Sequence, residues 1–395
     1  MANTLLTPTA VTREVLRVAH EKTSFIGTVM RQYDSSYAKT GAKIGDSLKI
    51  RLPNQYTVRT GKTLNAQDTA ESSVTLTVAT QKGVDMNFST AELALDLDDF
   101  SKRIIEPAIS VLVSDIESAM LQSVTKDVYN HSGTPGTLPT FAEIGVAKAK
   151  LNQNLAPKDN MRSIQMESID MVGVVNELKA LFHDTEQIEK QYLEGLVGRS
   201  MGLKWIENER IYTHTNGSDI TGITFDSVTA AEGDTTLAIT GASAAPTVGS
   251  IFTMADVYQV HPESKVAYQH LQQFVVTAAT TASLSFSPAL QASGANQNIS
   301  VLPATTAALV WVGAASGAFP NHLAYHKEAF AFATADLEMP EGVHFSAQEN
   351  FEGLSCRIVR QYDINNDNIP CRLDILHGFK TVRPQWACRV MGKGS

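Results

Sequence analysis

In the stretch 41–53, Ile44, Leu48, Ile50 and Leu52 keep to one side of a two-residue period, with Lys49 and Arg51 on the other. That is the pattern of a strand with one exposed face. A polar stretch runs from Asn54 to Ser72, and Val74, Leu76 and Val78 then resume the alternation. Two strands joined by a long polar tip predict an extended hairpin. An isolated hairpin is marginal in water, so this one is expected to lie on something else, such as another subunit.

Elsewhere the period is helical. Val15, Leu16, Val18, Ala19, Phe25 and Ile26 mark an N-terminal helix. Ser89 and Glu92 form a capping-box pattern before a short helix. Ile105, Ala108, Ile109, Leu112, Ile116, Ala119, Met120 and Val124 follow the i, i+3, i+4, i+7 rule. Asp98 and Asp99 suit the positive start of that helix, and Pro107 begins or kinks it. From Pro107 to Asn130 it would run roughly 35 Å at about 1.5 Å per residue. Thr140 and Glu143 form a second capping box, with Pro157 as the stop. Strands are predicted at 161–168 and 205–215 and a helix at 171–182, with an exposed, glycine-loosened segment at 183–204.

At Gly217 the composition shifts. Up to Pro303 there is one lysine, Lys265, and no arginine. Short strand patterns recur there between Gly, Pro and Asn, which predicts an inserted small β-barrel or sandwich. The chain then finishes on further strands, expected to return and complete sheets begun earlier. Cys356, Cys371 and Cys388 alternate with apolar neighbours and read as core residues.

Composition narrows the function. Hydrophobic residues make up 43% and charged residues 18%, with a formal net charge of −9. This is a globular composition without the basic patch a duplex-binding protein carries. No apolar run is long enough for a membrane span, and the N-terminus lacks the layout of a secretory signal. No phosphate loop, dinucleotide fingerprint, nucleophile elbow or zinc-protease motif is present. His322 and His326 are spaced i, i+4, but Leu323 stands where a zinc protease has its Glu, so they read as ordinary polar histidines. Neither catalytic residues nor a cofactor or metal site are expected.

The C-terminal stretches QYDI (361–364), RLDILHG (372–378) and RPQWACR (383–389) resemble the ending of tailed-phage major capsid proteins related to the P22 coat protein. The stretch 322–342 resembles the segment preceding that ending, and 248–262 with 271–278 resemble its inserted β-domain. The resemblance implies an α+β, HK97-like capsid fold. Its parts would be an N-terminal arm (1–36), an extended loop hairpin (37–88), and a spine helix with peripheral domain (89–136). The first part of an axial domain (137–217), an inserted β-barrel (218–303), and axial completion with closing strands (304–395) would follow.

It also implies a non-enzymatic major capsid protein of a virion, assembled in the host bacterial cytoplasm. Its partners would be identical subunits in hexamers and pentamers, a scaffolding protein, a portal and weakly held double-stranded DNA, with room for a decoration protein and no membrane. An encapsulin-like nanocompartment shell is the alternative. Expected assembly residues are Arg59, Lys62 and Asn65 in the extended loop, and Asp98, Asp99, Lys102 and Arg103 at the spine helix start. Glu189, Lys190 and Arg199 in the axial loop complete the set. One departure stands out: where related insertion domains bridge capsomers through a charged loop, residues 241–249 are short and uncharged. Lys62 with Asn65 lies where some relatives crosslink, yet no sequence feature marks this lysine for that chemistry.

Overall fold

The computed structural model describes residues 8–33, 47–64, 66–67, 71–88, 106–178, 198–226, 230–343, 345–351, 354–364 and 369–393. The chain divides into two compact units. One comprises residues 1–51, 73–120 and 330–382; the other comprises 52–72, 121–329 and 383–395.

The first unit is built on the strand Ile369–Thr381. Along one edge it pairs antiparallel with Phe330–Ala335 and then Leu354–Arg360; along the other it pairs with Thr80–Phe88. Met30–Tyr33 adds a parallel edge and Phe345–Phe351 closes the far side. The helix Pro8–Lys22 buries Val15, Leu16, Val18 and Ala19. The opening turns of the helix Glu106–Asp127 bury Ile109, Leu112, Val113 and Ile116 while leaving Val111 out. Both stripes meet the sheet residues Phe332 and Cys356 around a cavity of only about 20 Å³, so the layer is closely filled.

The hairpin pairs as the alternation predicts, with Leu48 opposite Leu76 and Ile50 opposite Val74. Its return run divides, however. Ser73–Thr77 belongs to the hairpin, and Thr80–Phe88 joins the body sheet. Leu76 and Val78 are buried and fix the break between them.

The long helix is shorter than its periodicity suggested. Glu106 and Pro107 open it, and the proline sits in the first turn, where its missing N–H leaves no bond unmade. It ends at Asp127, not Asn130, because Val128 N–H bonds Thr125 O in a tight turn. That frees Asn130 for the second unit's sheet, where its amide donates to Ala387 O and its carbonyl accepts from Arg389. The capping-box pattern at Ser89 and the residues Asp98 to Arg103, read as the start of the spine helix, lie outside the described residues.

In the second unit, the strands His131–Ser132, Ala387–Met391, Ala318–His326, Arg162–Met166, Leu203–Glu207 and Arg199–Ser200 form one sheet in that order. Thr213–Thr215 pairs with Ala318–His326 as well. The helix Phe141–Gln153 starts on the predicted box: Glu143 N–H donates to Thr140 Oγ1, and Thr140 N–H donates to Glu143 Oε2. Its buried face, Ile144, Ala147 and Leu151, packs with Ile164, Met166, Cys388 and Val390.

Residues 224–311 form a second, six-stranded sheet around Phe252, Phe274 and Phe286. Phe274 meets Phe286 edge-on, with centroids 5.5 Å apart. The predicted limit at Pro303 falls short. Leu309–Trp311 pairs with Ile251–Val260, and Phe225 N–H to Ala307 O and Leu309 N–H to Ile223 O tie the last strand to the first. The sheet thereby curls toward a barrel, its first and last strands meeting at the bridge Thr224 to Ala308. Asn298–Leu302, one of the short strand patterns between Gly217 and Pro303, makes a single bridge, Ile299 to Gln259.

Candidate assembly surfaces

The hairpin tip carries its own order. Thr57 N–H donates to Gln67 Oε1, and Gln67 Nε2 returns a bond to Thr57 O. Gly61 takes a positive φ of 100° that other residues resist. Arg59 donates to the carbonyls of Gly61 and Thr63 on either side of Lys62. The structure thus brings Arg59 and Lys62 onto one turn, but Arg59 is engaged by its own loop. Apolar side chains the sequence reading passed over stand out from that turn: Tyr56 is 59% exposed, Val58 97% and Leu64 81%.

Arg199, in the second unit, donates to Asn160 O at 3.0 Å. Among the described residues no bond links it to the tip. Asn65, Asp98, Asp99, Lys102, Arg103, Glu189 and Lys190 lie outside the described residues.

His322 and His326 sit on a strand, so four residues apart means one face, as it also does on a helix. Each has its own carboxylate. His322 Nε2 is 2.6 Å from Asp170 Oδ2, both fully buried, and His326 Nε2 is 3.0 Å from Asp159 Oδ1. No group of three metal-binding side chains occurs among the described residues. The three thiols are free and buried. Burial raises all of them, Cys371 to about 11 and Cys388 to about 12, and drives Cys356 strongly upward. They are core atoms, not nucleophiles.

Sequence reasoning missed the joint that seats the barrel on the rest of its unit. His131 N–H donates to Gln273 Oε1, and Gln259 Nε2 donates to Asn154 Oδ1. Arg389 is 1% exposed and donates to Gly249 O at 2.7 Å. Burial pulls its guanidinium down to about 9, against the opposing pull of Tyr212, Asp127 and Cys388. The signal was available: if Trp386, Cys388 and Val390 share a core face, Arg389 faces the other way, and only a second layer can cover it.

Residues 3–392 match the family described as "P22 coat protein - gene protein 5". The chain belongs to this coat protein family. It is a major capsid protein, a subunit that self-assembles into an icosahedral phage shell, and its mixed α+β architecture is that of the HK97-like capsid fold. No curated protein matches this coat subunit in sequence. Among solved structures it is similar to a chain of Mycobacterium phage Che8, at 12% identity and a TM-score of 0.49, covering 94% of this chain and 92% of that one. It is also similar to the capsid of cyanophage P-SCSP1u, at 12% identity and a TM-score of 0.44, covering 93% and 87%. The CUS-3 coat protein I-domain aligns over 24% of this chain and 96% of its own length, at 21% identity and a TM-score of 0.20. The assignment rests on the family match. No described helix is long and apolar enough to cross a membrane.

Proposed function

We propose that this coat subunit builds the hexamers and pentamers of a tailed-phage head around double-stranded DNA, and that its hairpin tip lies across a neighbouring copy. The observation that carries this is the exposed Tyr56, Val58 and Leu64 on an internally bonded turn. Ordered apolar side chains in water mark a contact surface, and covering them couples assembly to stability. Arg59 acts by shaping the turn, while Lys62 and Arg199 supply polar contacts to neighbours. A scaffolding protein and a portal direct closure, the acidic subunit holds DNA only weakly, and an added decoration protein is compatible with the fold. The subunit performs no catalysis. Lys62 is exposed to water, so its amine stays solvated and boiled particles should run near the monomer mass. Assembly happens in the host cytoplasm.

The test is electron microscopy of the full chain assembled with its scaffold. The native chain should form closed shells. Val58→Asp should leave a folded subunit that assembles poorly. Normal shells from that variant would overturn the role given to the tip.

A further inference from the structure

Within the second unit, a cleft of about 260 Å³ opens between the helix Phe141–Gln153, the loop before Arg162 and the Met201–Gly202 turn. Lys148 and Asn152, one helical turn apart, line one wall; Lys158 and Asn160 come from the loop, and Arg162 begins a buried strand. Arg162 is 3% exposed. Its Nε donates to Pro157 O at 2.8 Å, Nη1 to Asn152 Oδ1 at 2.8 Å and Nη2 to Ala156 O at 2.5 Å. All three hydrogen-bond partners are neutral oxygens, and the nearby Asp159 carboxylate offsets part of the guanidinium's burial.

The loop has one carboxylate, Asp159, which acts on Arg162 through space but spends its hydrogen bonds elsewhere. It accepts from His326 Nε2 at 3.0 and 3.2 Å and from Met161 N–H at 3.1 Å. Among the described residues no carboxylate lines the cleft. Arg199 adds a fourth cation at the rim by holding the Asn160 carbonyl. In a chain of net charge −9, the three lining cations Lys148, Lys158 and Arg162, with Arg199 at the rim, favour an anion.

We infer that this cleft binds a phosphate group. Its cations come from a helix, a loop and a strand, which suits an anion that offers oxygens on several sides, as a tetrahedral phosphate does, better than a flat carboxylate. A volume of about 260 Å³ holds a phosphate and a few waters at ~30 Å³ each. It lies below the roughly 300–1,000 Å³ of sites for larger organic ligands. Two sources share this chemistry: free inorganic phosphate and the phosphodiester backbone of DNA. The inference does not rest on the proposed role of the hairpin tip.

The experiment titrates the purified full chain by calorimetry at constant ionic strength with inorganic phosphate, with a short DNA duplex and with polyglutamate. Lys148→Gln combined with Lys158→Gln is the test variant, since both side chains reach solvent and leave the core alone. Arg162 is kept because its bonds also hold the loop. The wild type should bind phosphate, and the variant at least about tenfold more weakly, with unchanged thermal unfolding in chloride buffer. If the backbone is the source, duplex binding falls in parallel and its salt slope drops by about one per lysine removed. If free phosphate is the source, duplex binding is unaffected. Absence of phosphate binding by the wild type, equal binding by the variant, or tighter binding of polyglutamate than of phosphate would each overturn the inference.

Discussion

The sharpest test of the first unit is Glu117. Its side chain is 0% exposed. Oε1 accepts from the backbone N–H groups of Ser24, Phe25 and Ile26 at 2.8, 2.9 and 3.1 Å, and Oε2 accepts from Ser24 Oγ at 3.3 Å. The turn Ile26–Thr28 has no side-chain cap of its own at Phe25, so a carboxylate from another helix takes that part. Phe25, Ile26 and Val29 are buried around it. Glu117→Ala strands three amides and a hydroxyl in apolar surroundings. At about 1–3 kcal/mol per unmet buried group, and with some relaxation, the cost is about 3–6 kcal/mol, a large part of the ~5–15 kcal/mol that holds a domain together. Glu117→Gln keeps an acceptor oxygen and loses only charge assistance, about 1 kcal/mol. Tryptophan fluorescence reports the wrong unit, because Trp205, Trp311 and Trp386 all lie in the second. Amide exchange of a peptide covering residues 24–29, with urea unfolding followed by circular dichroism, reads the first unit directly. Protection at Phe25 and Ile26 should collapse in the Ala variant and largely survive in the Gln variant. Equal behaviour of the two, or an Ala variant within about 1 kcal/mol of wild type, would refute the reasoning.

Acid should weaken the chain before its carboxylates titrate. His214 and His377 are pulled to about 4 and His131 to about 3, by burial first and then by cations: Arg389 and Lys126, Lys82, and Lys150 and Arg389 respectively. The unfolded chain takes up these protons near pH 6.5, so stability is full above that value and falls toward pH 4. Each imidazole contributes up to about 1.4 kcal/mol per pH unit. Urea midpoints between about pH 7 and pH 5 should show the slope, and His214→Gln should flatten it. The three cysteines should resist alkylation in the native chain and react together on unfolding, read by mass spectrometry; fast labelling of the folded chain would contradict their burial. Gly378→Ala places a Cβ 2.2 Å from Thr77 O and should cost about 3 kcal/mol or more. Gly27→Ala, whose nearest neighbour is 3.8 Å away, is the control; soluble yield and melting temperature compare them.

Alternation made the faces of this molecule legible but not the partners of those faces. Leu48, Ile50, Val74 and Leu76 pair as their spacing predicts, because a two-residue period and a polar tip specify a local hairpin. The Thr140–Glu143 cap was equally readable, being complete within four residues. The break after Thr77 was not: the strand Thr80–Phe88 owes its place to Ile369–Thr381, nearly three hundred residues later. The barrel's last strand was missed for the same reason, since Leu309–Trp311 is short and gains its bonds from residues 223 and 251–254. For the proposed assembly surface, sequence reasoning pointed to the tip but favoured its charges. Arg59 spends its donors on its own loop, while Tyr56, Val58 and Leu64 hold the exposed apolar surface.

The late strands carry a consequence for synthesis. Ile369–Thr381 is the spine of one unit's sheet, and Ala387–Met391 is an inner strand of the other's. Neither sheet can therefore be completed before residues 369–391 have been made. A product released early keeps unpaired strand edges on both units and has no complete surface to offer a growing lattice.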